Sequence, residues 1–134
     1  MIEVVNRQRR RKIATAAWVS RTKAMLEAMD QADSATTIAF VSDSKIRQLN
    51  RQFRGVDKTT DVLSFPSDDE GTLGDIAISV ETAVRQAKEN GLTLNGEIAQ
   101  LILHGLLHLC GYDHESDNGE MNRVELRLRK KLKI

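Results

Sequence analysis

The pattern of hydrophobic and polar positions along this chain predicts four strands and five helices. Weak alternation or β-branched, apolar runs are typical of strands over residues 1–6, 34–42, 61–66 and 73–79. Helix-forming residues with apolar positions on one side predict helices over residues 11–30, 43–53, 80–90, 93–110 and 117–131. The order β-α-β-α-β-β-α-α-α needs both a hairpin and crossovers. It therefore predicts an α/β fold of the α+β kind, with a mixed, mostly four-stranded sheet packed with helices.

Capping residues support several of these boundaries. Ser79 and Thr93 stand where an N-cap is expected, and Gly91 and Gly111 stand where a left-handed residue ends a helix. Pro66, the chain's one proline, stops the third strand. With no repeat, low-complexity tract or linker, we expect residues 1–134 to form a single domain.

Composition places the chain among ordinary globular proteins. Hydrophobic residues make up 40% and charged residues 29% of its 134 residues. Cys110 is the single cysteine, which excludes an internal disulfide and favours a reducing compartment, so we expect a cytoplasmic location. The sequence offers no apolar leader and no run long enough to span a bilayer, so we expect no membrane partner.

Basic residues crowd both ends although the net charge is only +1. Residues 7–12 and 127–133 carry these two clusters. Such clusters suit a phosphate backbone if they meet on one face, but they are equally typical of solvated chain ends. Charge alone leaves a nucleic-acid partner open.

All three histidines fall within the eleven residues HGLLHLCGYDH. His104 and His108 are one helical turn apart and point in nearly the same direction. Gly111 can turn the chain back, which brings His114 toward the first two imidazoles. Three imidazoles with an open fourth position are a common catalytic zinc arrangement, so we predict one Zn²⁺ per chain.

Neighbouring side chains are candidates for orienting these imidazoles. Glu97 lies on the histidine side of the predicted helix, and Tyr112 and Asp113 lie between the last two histidines. Glu97 is equally suited to favour the helix dipole from the first turn. Cys110 points to the other side of the helix, which predicts a small core residue rather than a ligand.

The histidine spacing also matches the metzincin protease pattern H-E-x-x-H-x-x-G-x-x-H at its ligands and turn. Where those proteases carry the glutamate that acts as general base, this chain has Gly105, which has no side chain to take a proton. A metalloprotease is therefore a rival hypothesis, and Gly105 argues against it.

Three sequence blocks together resemble the YbeY family of bacterial metal-dependent endoribonucleases, which are involved in ribosomal RNA maturation. HGLLHLCGYDH resembles the family's H-G-x-L-H-L-x-G-[YH]-D-H block. LNRQFRGVDKTTDVLSFP and LGDIAIS resemble two further blocks upstream. The three span residues 49 to 114 in the family's order, and the ligand positions show no departure. The histidine block is specific, whereas the others would be weak alone.

The resemblance implies a zincin-like metal-binding helix and turn, with the metal held by His104, His108 and His114. It also implies a functional Arg54 near the metal, where a guanidinium could hold phosphate; the alternative is a surface ion pair, for example with Asp57.

As function, the resemblance implies hydrolytic cleavage of single-stranded RNA in ribosomal RNA maturation and ribosome quality control, with the ribosome or ribosome-associated proteins as docking partners. A non-catalytic ribosome assembly factor stabilised by zinc remains the second rival. We place Trp18, Phe53 and Phe65 in the core, which leaves little aromatic surface for stacking bases.

Overall fold

A computed structural model describes residues 1–113 and 115–134, and over these residues the predicted order of strands and helices is confirmed. The elements are β1 (Ile2–Asn6), α1 (Thr15–Ala28), β2 (Ala35–Val41), α2 (Asp43–Arg54), β3 (Val62–Pro66), β4 (Thr72–Ser79), α3 (Val80–Asn90), α4 (Leu94–Leu109) and α5 (Glu120–Leu132).

The first helix begins four residues later than predicted, because a polar side chain organises the preceding loop. Gln8 donates from Nε2 to the Arg11 carbonyl at 2.6 Å, and its Oε1 accepts from the Arg11 amide at 3.1 Å. The last helix likewise begins at Glu120 rather than 117, since Asp117 uses its carboxylate to accept the amides of Gly119 and Met121. The first residues of both helices depend on side-chain hydrogen bonds, which the hydrophobic pattern does not reveal.

The sheet has four strands in the order β1-β2-β4-β3. β1, β2 and β4 run parallel, and β3 pairs antiparallel with β4 as an edge strand. This mixed sheet confirms the predicted α+β architecture. Ser42, Ser79 and Thr93 cap helices through their side-chain oxygens, and Gly91 has the left-handed conformation expected at the end of α3.

The two faces of the sheet bury different helices, because successive strand residues point to opposite sides. Ile38, Phe40, Ile76 and Ile78 belong to the larger core cluster, which also includes residues of α1, α3, α4 and α5. The opposite face carries a smaller cluster, in which Ile46 of α2 packs with Val41, Leu63 and Ala77. Helix α2 therefore stands alone on its side of the sheet among the described elements.

Gly74 in β4 fixes how closely β3 approaches. Its φ is 137°, and a Cβ at this position would lie 2.1 Å from the Phe65 carbonyl oxygen. No L side chain fits that contact, so the close approach of β3 requires glycine at position 74.

Asp43 ties the start of α2 to the end of β4 and the start of α3. Its Oδ1 accepts from the hydroxyls of Ser79 at 2.5 Å, Thr82 at 2.6 Å and Thr59 at 3.1 Å. Its Oδ2 accepts from Arg85 at 2.9 Å. Burial tends to raise the pKa of Asp43, but the bonds from these four donors outweigh burial and lower that pKa to about 2.

Within the described part of the chain, no helix combines the length and hydrophobicity needed to cross a membrane.

We predict that Asp43→Asn lowers the free energy of unfolding by about 1–2 kcal/mol at neutral pH, because the charged acceptor is lost. The folded-state pKa, about 2, lies below the ordinary value of 3.8, so the stabilisation is complete above pH 3.8 and is lost as pH falls toward 2. Urea denaturation of both proteins from pH 7 to pH 2 should therefore show their difference shrinking below pH 4.

Asp57→Asn is the matched control, since Asp57 forms an exposed ion pair with Arg47 at 2.9 Å. Its effect on unfolding should be smaller. A difference between wild type and Asp43→Asn that stays constant down to pH 2 would contradict the role given to the Asp43 charge.

Candidate active site

A cleft of about 560 Å³ opens beside the edge strand β3. It lies between the end of α4, which carries two histidines, and the end of α2, which carries Arg54. Its lining residues are Arg54, Asp61, Val62, Leu63, Ser64, Pro66, His104, His108, Gly111, Tyr112, Asp113 and Glu115. The structure thus brings the sequence-predicted Arg54, His104, His108, Tyr112 and Asp113 to one depression.

His104 and His108 converge within this cleft. Their Nε2 atoms are 3.1 Å apart, and the rings stand at 77° to each other. Two nitrogens at this separation either share one proton or share one cation. Tetrahedral zinc with bonds of about 2.0–2.1 Å would set them about 3.3 Å apart. The two imidazoles therefore fit adjacent positions around such an ion.

Glu125 of α5 holds the first of these imidazoles from behind. His104 Nδ1 lies 2.8 Å from Glu125 Oε1, and the Glu125 side chain is only 9% exposed. Arg129, one turn further along α5, donates to Glu125 Oε2 at 2.6 Å. Both carboxylate oxygens are thereby used, which restricts the His104 ring to one orientation.

The charge of Glu125 decides which nitrogen of His104 faces the cleft. Burial tends to raise the pKa of Glu125, but the hydrogen bond and charge of His104, and then those of Arg129, outweigh burial and lower that pKa. An ionised carboxylate only accepts hydrogen bonds, so Nδ1 carries the proton. With Nδ1 bound to Glu125, the other ring nitrogen, Nε2, lies 3.1 Å from Nε2 of His108.

Of the two alternatives for Glu97, the structure shows the acid in the first turn of α4, where it accepts from Asn90 Nδ2 at 2.8 Å, and the carboxylate on His104 Nδ1 is that of Glu125. Sequence reasoning missed Glu125. The signal was present: Met121, Glu125 and Leu128 occupy one face of α5 and are all buried, so an acid interrupts an apolar stripe.

Arg54 reaches the cleft from the other side of the sheet. It is the last residue of α2, its side chain is exposed, and Gly55 ends the helix in the left-handed conformation. The alternative ion pair with Asp57 does not form, because Asp57 binds Arg47 instead. Over residues 1–113 and 115–134, no carboxylate neutralises Arg54, so its guanidinium remains available to an anion.

Acidic side chains share the cleft with Arg54. Asp61 accepts the Val62 amide at 2.7 Å, and Asp113 accepts the Glu115 amide at 3.0 Å. All three carboxylates, those of Asp61, Asp113 and Glu115, line the cleft. An anionic substrate therefore meets more negative than positive protein charge here, and its entry calls for additional positive charge.

The predicted third ligand, His114, lies outside the described residues. Among the residues that are described, no group of three or more His, Cys, Asp or Glu side chains is arranged to hold a metal ion. The prediction of a three-histidine zinc site therefore stays a prediction. Cys110, predicted as a small core residue, is only half-buried and lines a separate cavity with Met29 and Leu128.

Gly105 lets α4 pack closely against the sheet. A Cβ at this position would lie 3.0 Å from Ile76 Cδ1 and 3.2 Å from Ser64 Oγ. Ser64 also donates to the Gly105 carbonyl at 3.2 Å. A side chain at 105 would thus point toward the sheet, and a glutamate in the metzincin position would crowd Ile76 and Ser64.

The basic clusters are partly committed to local ion pairs. Arg10 lies 3.5 Å from Glu81, and Arg129 is bound to Glu125. The roles of these two arginines are at least partly structural.

Comparison with known proteins finds similarity to one family. The sequence model of the family described as "Endoribonuclease YbeY" matches residues 3–133. A protein named endoribonuclease YbeY from Koribacter versatilis is 53% identical over 97 residues, which cover 72% of this chain and 64% of that protein. One of the same name from Nautilia profundicola is 49% identical over 104 residues, covering 76% of this chain and 75% of that protein.

A third relative, the endoribonuclease YbeY of Solibacter usitatus, is 56% identical over 67% of this chain and 60% of its own length. This chain thus spans between 60 and 75% of the length of these three relatives. The solution structure of TM1509 from Thermotoga maritima superposes with a TM-score of 0.67 at 30% identity, covering 98% of this chain and 89% of that one.

We predict that Gly105→Glu, which creates the sequence H-E-x-x-H, destabilises the protein by about 3 kcal/mol or more and produces no protease activity. Its Cβ would press on Ile76 and Ser64, and its carboxylate would enter a buried space. Urea denaturation measures the stability, and digestion of unstructured casein measures the activity.

Gly105→Ala is the matched control, because it adds only the Cβ. Its gain in helix propensity offsets part of the crowding, so its destabilisation should be much smaller. A stable Gly105→Glu protein that digests casein in a chelator-sensitive manner would contradict the packing argument.

Proposed function

This chain belongs to the YbeY endoribonuclease family, and on that premise we propose that it is a metal-dependent endoribonuclease that cleaves phosphodiester bonds in single-stranded RNA. We extend the proposal to ribosomal RNA maturation and ribosome quality control, to the ribosome or ribosome-associated proteins as partners, and to the cytoplasm. The observation that carries it is the convergence of His104 and His108 in a cleft that also contains Arg54, which has no carboxylate partner among the described residues.

The residues proposed to hold the metal are His104, His108 and His114, in a zincin-like helix and turn, and the proposed ion is zinc. The nitrogen separation of 3.1 Å and the buried carboxylate on His104 support this choice. When bound, such an ion supplies Lewis acidity, which withdraws charge from a phosphoryl oxygen and eases deprotonation of an attacking hydroxyl or water.

The chain's own residues have separate tasks in this proposal. Glu125 keeps the proton of His104 on Nδ1 and keeps Nε2 directed into the cleft. Arg54 donates its planar fork to the non-bridging oxygens of the scissile phosphate and stabilises the charge that develops on them. Tyr112 and Asp113, which line the cleft, are proposed to orient the imidazole of His114.

Phosphodiester cleavage is favoured over proteolysis by the packing at Gly105. The base that a metzincin supplies from this helix position has no counterpart here, because the position faces Ile76 and Ser64. A free guanidinium across the cleft suits a phosphate better than a neutral peptide bond.

We predict that the purified protein contains about one zinc ion per chain and cleaves unstructured RNA, and that His108→Ala loses both properties. Elemental analysis measures the metal, and an end-labelled oligoribonucleotide measures cleavage. Chelation should abolish the activity and re-addition of zinc should restore it.

His108→Ala prepared in parallel controls for contaminating ribonucleases. Casein left intact under conditions in which RNA is cut excludes the protease rival. If the metal is present but wild type and His108→Ala cut RNA equally, the nuclease proposal is wrong. The assembly-factor rival, with zinc in a purely structural role, would then be favoured.

We predict that Arg54→Ala lowers the rate of RNA cleavage about 100- to 1000-fold while zinc content and melting temperature stay near wild type. Arg54→Lys should recover part of the loss, since it keeps the charge but not the fork. Arg51→Ala is the matched control, because Arg51 is an exposed arginine in the same helical turn that does not line the cleft. Cleavage by Arg54→Ala at the Arg51→Ala rate would remove Arg54 from the mechanism.

A further inference from the structure

Phe53 is exposed although the sequence pattern predicts it in the core. Its residue is 60% exposed, whereas Trp18, also predicted in the core, is 3% exposed. Among the described residues with large exposed apolar side chains, which are Met1, Phe53, Val56 and Leu126, Phe53 alone is aromatic. An aromatic ring held in solvent forgoes the stabilisation of burial, so its position invites a functional explanation.

The ring of Phe53 is supported from one side rather than covered. Ile46, Leu49 and Phe53 form the apolar stripe of α2, which is buried at Ile46 and becomes exposed where it reaches the edge strand. There Phe53 meets Phe65 of β3, with ring centroids 5.2 Å apart and an angle of 66° between the planes. This edge-to-face contact fixes the ring and leaves much of its surface accessible.

Sequence neighbours of Phe53 and Phe65 line the candidate active site. Phe53 immediately precedes Arg54, and Phe65 stands between Ser64 and Pro66 in β3. Arg54, Ser64 and Pro66 all line the cleft. Neither ring is among the residues that line the cleft, but both aromatic residues are direct sequence neighbours of residues that do, and Phe53 and Arg54 are consecutive residues at one helix end.

We propose that Phe53, braced by Phe65, is a stacking platform for one unpaired nucleobase of the RNA strand whose phosphate binds Arg54. The inference rests on the proposed function and adds a base-binding subsite to it. Every nucleobase has a π-face, so this subsite favours single strands over duplexes without selecting a particular base. An RNA strand that stacks a base on Phe53 and binds a phosphate through Arg54 would be held on either side of one sugar. These two contacts would determine which phosphate lies at the site of cleavage.

The test measures binding of a 2′-O-methyl oligoribonucleotide, whose blocked 2′-hydroxyls slow cleavage, to the metal-loaded wild type, Phe53→Ala and Phe53→Tyr. Stacking on an aromatic side chain corresponds to about a 5- to 150-fold change in Kd, so Phe53→Ala should bind more weakly by a factor in this range. Phe53→Tyr keeps the π-surface and should bind like wild type. Leu126→Ala, which truncates a similarly exposed apolar residue of α5, should also bind like wild type.

A series of oligonucleotides with a single abasic site supplies the decisive comparison. At one position, loss of the base should weaken binding to wild type by the same factor as Phe53→Ala, and should not weaken binding to Phe53→Ala further. Equal binding by wild type and Phe53→Ala overturns the stacking subsite, and so does an abasic effect that persists in Phe53→Ala at every position. In the latter case Phe53 contacts the strand without stacking.

The stacking subsite and the nuclease proposal fail in different ways. If wild type cleaves RNA in a metal-dependent manner and Phe53→Ala does so with unchanged KM, only the subsite is wrong, and the exposed ring is then assigned to a protein partner. If wild type neither binds nor cleaves RNA, both proposals are wrong. Melting temperatures of all variants show whether a loss of binding reflects unfolding.

Discussion

The buried carboxylate of Glu125 is the contact on which the geometry of the histidine helix depends. It receives His104 on one oxygen and Arg129 on the other, so it joins α4 to α5 through two charge-assisted hydrogen bonds. A carboxylate this deeply buried is tolerable only when both oxygens have partners. The hydrogen bonds that satisfy Glu125 therefore also orient the imidazole of His104. A change that weakens the contact between α4 and α5 would also misalign the site.

Packing on the opposite side of α4 completes this constraint. Ten of the sixteen residues of α4 are buried, and Gly105 lets the helix lie directly against Ile76 and Ser64. His104 flanks this contact in sequence, and His108 lies one turn beyond it, so any displacement of the helix from the sheet also displaces the imidazoles. Close packing of this kind leaves a helix few alternative positions. Gly105, which stands where a metzincin has its catalytic glutamate, thus also determines how close to the sheet the two histidines lie.

The sequence-based predictions succeed where local chemistry determines structure and fail where distant elements meet. Hydrophobic period and caps such as Ser79 and Thr93 act within a few residues, so the order of strands and helices follows from them. Glu125 was missed because its partner lies 21 residues away on another helix. Phe53 was placed in the core because it continues the stripe of Ile46, and nothing local reveals that the sheet ends beneath it. Arg54 was assigned to the site from family resemblance, and the free guanidinium in the cleft agrees with that assignment.

Electrostatics links the proposed metal to the proposed substrate. Among the described residues that line the cleft, Asp61, Asp113 and Glu115 outnumber the one guanidinium, that of Arg54, so these side chains present RNA with net negative charge. In a partly enclosed cleft this repulsion is screened less than on an open surface, and one arginine does not offset it. A divalent cation on the imidazoles would offset the two excess negative charges, at the position where a phosphate would bind. Under this proposal metal binding precedes productive RNA binding, and the carboxylates discourage anions from entering a cleft that is not yet competent for cleavage.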